Sequence, residues 1–159
     1  MFTFLNNPIH LEGKQLEKGM KMPSFITVNK DLNPFNLDDV KGKKVILSVP
    51  SIDTPVCSME LSKFMEALKD KDDITCISVS LDLPFALDRW CQAKANDKVI
   101  TTSDYKDHEF AKVSGTMIEE LGLLTRAVFV LDDNNEIIYV EYVSEVSYEP
   151  NYENILNLL

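Results

Sequence analysis

No apolar run in this chain approaches the roughly 18–20 residues that a helix needs to cross a bilayer. The opening stretch MFTFLNNPIHLEGK lacks a basic start followed by an apolar core, so a secretory signal is not expected. Basic charge is also scarce. Sixteen lysines and arginines face 26 acidic residues, a net charge of −10, which argues against nucleic acid or an anionic membrane as a partner. The five glycines do not cluster, so no phosphate-cradling loop is present. Only two histidines occur, His10 and His108, in unrelated contexts, and there is no Cys-x-x-Cys. Neither a zinc site nor a Cys–His hydrolase has the ligands or partners it needs, and no cofactor is expected.

Cysteine is the most telling scarcity. The chain has three, Cys57, Cys76 and Cys91, an odd number that fits poorly with a structural disulfide framework. The expectation is a reducing cytoplasm, where a cysteine pair is catalytic or redox-sensing. What remains is the composition of a globular protein, 45% hydrophobic and 26% charged over 159 residues. That length suits one domain, residues 1–159, with a sizeable core.

The patterning is β-rich at first. FTFL and IHLEG flank a turn signal at Asn6-Asn7-Pro8, which predicts an N-terminal hairpin. SFITV and PFNL predict a second pair of strands. From residue 43 the pattern becomes strand (43–50), helix (55–69), strand (74–81), helix (84–95) and strand (98–103), with 105–123 a mixture of helix and loop. The acidic run 70–73 reads as a solvated loop. Two apolar runs around Asp132-Asp133-Asn134-Asn135 predict a hairpin over 125–143, and EPNYENILNLL predicts a closing helix. Crossover helices imply a parallel portion with helices on both faces. The fold class is therefore α/β, a mixed central sheet flanked by helices in a thioredoxin-like arrangement.

Cys57 stands just inside a helix start. Pro55 suits the first helical position, which makes Thr54 the N-cap and Cys57 the third helical residue. First-turn amides and the positive end of the helix dipole favour a thiolate there, and the thiolate is the nucleophile. The helix end supplies only about 0.3–1 kcal/mol, up to ~2 when partly buried, while burial opposes charge. A strongly activated thiolate therefore needs a cation too, and an arginine on a neighbouring strand could face the helix start. Equally, a free cysteine in this position can be mere packing. Cys76, among β-branched residues, reads as core, and His108 as solvent-facing.

PSIDTPVC (50–57) matches the Pro-x-x-x-Thr-x-x-Cys signature of peroxiredoxins. SLDLPFALDRWC (80–91), LLTRAVFVLDDNNEIIYVEYV (123–143) and SEVSYEPNYENIL (144–156) continue the likeness. Nearly the whole chain resembles the bacterial thiol peroxidase branch, the atypical two-cysteine type. That resemblance implies a thioredoxin-like fold with an N-terminal β-hairpin, and a homodimer. It implies that Cys57 is the peroxidatic cysteine, attacking a hydroperoxide and becoming a sulfenic acid. Thr54 would hydrogen-bond thiolate and peroxide, Arg126 would supply the cation, and Pro50 would shield the pocket. Cys91 would resolve the sulfenic acid as an intramolecular disulfide, reduced in turn by thioredoxin or a similar dithiol. Two helices carrying the pair imply local opening at 55–57 and 84–95, because a disulfide needs Cα atoms within about 7 Å. The chain departs from the family at Gln92, where Gly is common, and around 111–122. A peroxide sensor relaying its disulfide to a partner protein, and a non-catalytic thioredoxin-like binding module, remain the alternatives.

Overall fold

The computed structural model describes residues 1–159. Strands β1 (Phe2–Phe4) and β2 (Asn7–Ile9) form the N-terminal hairpin. Its turn is Leu5-Asn6, at φ +50° and +68°, the left-handed pair of a two-residue hairpin connection. The turn was expected one step later, over Asn6-Asn7-Pro8. Pro8 instead lies inside β2 opposite Thr3, a place open to proline on a short edge strand. Strands β3 (Ile26–Asn29) and β4 (Pro34–Asn36) form the second antiparallel pair.

The central run is β5 (Lys43–Ser48), α1 (Pro55–Leu68), β6 (Ile74–Ser80), α2 (Pro84–Ala93) and β7 (Val99–Ser103). Strands β5, β6 and β7 are parallel. Beyond them lie α3 (Glu109–Ser114) and a small hairpin, β8 (Met117–Ile118) with β9 (Leu123–Leu124). This hairpin went unforeseen because strands of two residues carry no readable alternation. β10 (Ala127–Leu131) and β11 (Ile137–Tyr142) make the expected hairpin, and α4 (Tyr152–Leu156) closes the chain. The main sheet has the order β11-β10-β5-β6-β7-β3-β4.

Two successive right-handed crossovers running the same way put α1 and α2 on one face of the sheet. The two-residue period of the strands then sorts side chains. Val45, Leu47, Val128 and Val130 pack against Leu61, Phe64 and Leu68 of α1 and Leu87 of α2, with Ile155 of α4 beside them. Their alternates Ile46, Ile77 and Phe129 face the other way, against Phe110 of α3 and Met22 and Phe25 of the N-terminal segment. Phe110 meets Phe25 edge-on at 5.0 Å between ring centres. Phe64 is fully buried, and truncating it to Ala would cost about 3–5 kcal/mol. No helix is long and apolar enough to cross a membrane.

Candidate active site

Helix α1 begins as its sequence dictates. Thr54 is the N-cap, Pro55 the first helical residue, and Thr54 Oγ1 accepts a hydrogen bond from the Cys57 backbone N–H at 3.3 Å. The same hydroxyl donates to the Ser51 carbonyl at 2.9 Å, so it caps the helix rather than touching the sulfur. The loop ahead of it is braced from β6. Asp82 accepts from Ser51 Oγ at 2.7 Å, from the Ile52 N–H at 2.8 Å and from Ser80 Oγ at 2.9 Å. Pro50 is buried in the bend between β5 and this loop.

The cation arrives from the next strand. Arg126 precedes β10, and the strand period gives it the same face as Val128 and Val130, the face that carries α1. Its Nη2 donates to Cys57 Sγ at 3.4 Å, its Nη1 to Glu60 Oε2 at 2.9 Å, and its Nε to the Val146 carbonyl at 2.7 Å. A cation this close to a thiolate is worth about 4 kcal/mol at an effective dielectric of about 20, against ~2 at most from the helix end. The guanidinium, not the dipole, dominates. Burial works against the Arg126 charge, but Cys57 and Glu60 outweigh it and hold its pKa above the ordinary arginine value.

Glu60 was missed from the sequence. It sits three residues after Cys57 and is fully buried, with Oε1 unpartnered. Burial pushes its carboxyl up to about 7, Arg126 pulling the other way. The signal was available: an acidic residue beside Leu61 on the apolar stripe of α1 has no reason to be there without a buried cation.

The chain matches the Redoxin family over residues 17–156. It is 49% identical over 154 residues to a thiol peroxidase of Streptococcus pneumoniae, covering 96% of this chain and 94% of that one. It is 44% identical over 153 residues to a thiol peroxidase of Clostridium acetobutylicum, covering 96% and 93%. The chain belongs to the thiol peroxidases of the Redoxin family. Among solved structures, a peroxiredoxin-like protein from Aquifex aeolicus superposes with a TM-score of 0.91 at 35% identity, covering 99% of this chain and 94% of that one. The fold is the thioredoxin-like fold of the peroxiredoxins, N-terminal hairpin included.

Cys91 lies near the end of α2, buried, with Sγ 3.3 Å from Thr101 Oγ1 of β7. Both Cys57 and Cys91 are free thiols, each held in its own helix. The two helices are tied at their surfaces: Trp90 Nε1 donates to Ser58 Oγ at 2.9 Å, and Arg89 pairs with Asp53 at 3.3 Å. Cys76 is a third free thiol, on β6, and burial followed by Glu60 pushes it far above the usual thiol range. That makes it a poor nucleophile. His108 is exposed on the turn into α3, and His10 pairs with Glu120 on the surface at 2.6 Å. No group of three histidine, cysteine or acidic side chains converges as a metal site would need.

Proposed function

We propose that this enzyme reduces hydroperoxides at the expense of thiols, with Cys57 as the peroxidatic and Cys91 as the resolving cysteine. The Cys57 thiolate attacks the terminal oxygen of the hydroperoxide. The O–O bond breaks, the leaving oxygen takes a proton and departs as water or alcohol, and Cys57 becomes a sulfenic acid. Cys91 then displaces the hydroxyl as water and forms the disulfide. A small dithiol of the thioredoxin type reduces it by exchange. Arg126 balances the thiolate and draws electron density along the O–O bond. Thr54 holds the first turn and can turn its hydroxyl to the bound peroxide, while Pro50 keeps water from the pocket. The observation that carries this reading is the bond from Arg126 Nη2 to Cys57 Sγ. A packing cysteine has no need of a buried guanidinium.

We also read the chain as one domain working in the cytoplasm as a homodimer. Two large core clusters on the opposite faces of one main sheet support the first part. Exposed Met59, Leu83 and Phe85 around the cysteine helices support pairing of two copies.

Intact mass after limiting peroxide tests the chemistry. Wild type should lose two hydrogens, and Cys91→Ser should gain one oxygen. If Cys57→Ser consumed peroxide at the wild-type rate, the assignment would fail. Repeated turnover with a dithiol reductant separates the enzyme from a peroxide sensor.

A further inference from the structure

The thiol of Cys91 is held by a residue that the proposed cycle does not use. Asn96 lies three positions beyond α2, and its one side-chain amide makes four hydrogen bonds. Oδ1 accepts from the backbone N–H of Lys98 at 3.2 Å and of Val99 at 3.0 Å. Backbone N–H groups only donate, so this pair fixes which end of the amide is oxygen. Nδ2 consequently points the other way. It donates to the Val99 carbonyl at 2.8 Å and to Cys91 Sγ at 3.2 Å. The Asn96 backbone N–H closes on the Cys91 carbonyl at 2.8 Å as well. With Thr101 Oγ1 on its other side, the sulfur is clamped between the turn after α2 and strand β7.

That clamp is far from where the sulfur must react. Cys57 Sγ is bonded to Arg126 at the start of β10, and Cys91 Sγ to Thr101 of β7. Strands β5 and β6 lie between them. Three strand spacings of about 4.8 Å put the two anchoring strands roughly 14 Å apart, whereas a disulfide holds its sulfurs at ~2 Å. Cys91 has to leave its clamp before it can meet Cys57.

We propose that Asn96 is a latch on the resolving thiol, a positioning residue whose release sets the rate of disulfide formation. The proposal rests on the reading of Cys91 as the resolving cysteine. Two fates compete for the Cys57 sulfenic acid. In one, the Cys91 sulfur bonds to the Cys57 sulfur and the hydroxyl leaves as water with the proton of the thiol. In the other, a second hydroperoxide oxidises the sulfenic acid to sulfinic acid and is itself reduced to water or alcohol. The longer Cys91 stays latched, the larger the share of the second fate. Ala95 adds a spring to the latch. It sits at φ +51°, a left-handed conformation that costs alanine and not glycine. The Asn96 bonds hold it there, so opening the latch also relieves the backbone.

Two variants dissect the amide. Asn96→Ala loses all four side-chain bonds. Asn96→Asp keeps the two acceptor bonds that shape the turn and loses both donor bonds; the one contact left to Cys91 is a bond the thiol itself donates, which ends when Cys91 gives up its proton to attack. Rapid-quench mass spectrometry of the reduced protein with hydrogen peroxide follows both steps. Sulfenic acid should form on Cys57 at the wild-type rate in both variants. The disulfide should then form faster, by roughly fivefold to tenfold, the worth of about one hydrogen bond. The peroxide dose that gives half sulfinic acid should rise in proportion. If Asn96→Asp resolves no faster than wild type, the latch is refuted, because the turn alone then explains any effect of Asn96→Ala. Slower resolution in either variant refutes it too. Cys91→Ser keeps the two claims apart. An intramolecular disulfide in that variant would sink the assignment of Cys91 itself, whereas wild-type behaviour of the Asn96 variants sinks only the latch.

Discussion

Arg126 and Glu60 form an ion pair in the interior, Nη1 to Oε2 at 2.9 Å, with 2% and 0% of their side chains exposed. Assembling such a pair is expensive, and breaking it by removing one partner costs more, because the other charge is left without solvent. The return is orientation. With Nη1 on Glu60 and Nε on the Val146 carbonyl, the guanidinium has Nη2 left to direct at Cys57 Sγ.

Replacing the arginine should therefore do two separable things. Arg126→Met should slow sulfenic acid formation by about a hundredfold or more, as loss of a preorganised donor does. It should also cost about 3–5 kcal/mol of stability by orphaning Glu60. Adding Glu60→Gln should return most of the stability and none of the rate. Urea unfolding beside stopped-flow peroxide kinetics reads both, and a double variant with wild-type kinetics would remove Arg126 from the chemistry.

The buried carboxylate also predicts a pH signature. Glu60 titrates near 7 in the folded chain against a reference of 4.5. Its folded pKa is raised, so its contribution to stability is complete below about 4.5 and is lost as the pH climbs through 7. The loss is on the order of 3 kcal/mol at most, at ~1.36 kcal/mol for each step of pH between those two values. Urea midpoints from pH 4 to 8 should shift in favour of Glu60→Gln across that window and run level above it. Two parallel curves would contradict the burial argument.

Thr54 offers a third test. Its hydroxyl accepts from the Cys57 N–H and donates to the Ser51 carbonyl, and serine can make both bonds. Thr54→Ser should keep the fold and most of the peroxide rate. Thr54→Val should lose about 1 kcal/mol as an N-cap and slow sulfenic acid formation well beyond that. Equal rates in the two variants would reduce Thr54 to a cap.

Ala95 supplies a fourth. At φ +51° a glycine is unstrained, so Ala95→Gly should steady the turn by about 0.5–1 kcal/mol. Hydrogen exchange at residues 94–97 should slow, and disulfide formation should slow with it. Faster exchange would show that the gain in unfolded-chain freedom outweighs the strain.

Much of this was legible beforehand, for physical reasons. Thr54-Pro55 announces a helix start, and the apolar periods of α1, β5 and β6 are unambiguous. The requirement for a cation followed from weighing the dipole against burial, and the Arg126 guanidinium lies within hydrogen-bond reach of Cys57 Sγ. Glu60 was not seen because charge on a helix is read by default as a solvated face, and only the sheet shows that this face is covered. Asn96 was invisible for another reason. An asparagine after a helix looks like ordinary turn chemistry, and nothing in one dimension says that its amide reaches back five residues to a sulfur. The β8–β9 pair fell below the length at which alternation can be recognised.

Asp82 has a wider consequence than bracing one loop. It takes hydrogen bonds from Ser51 and Ile52, which lead into α1, and stands two residues ahead of Pro84, which opens α2. Its backbone carbonyl also receives the Ser103 hydroxyl, at the end of β7. One residue thus braces the approach to α1 through its carboxylate and ties the approach to α2 to the end of β7 through its backbone carbonyl. The starts of both cysteine-bearing helices therefore meet at one residue on the C-terminal edge of the sheet.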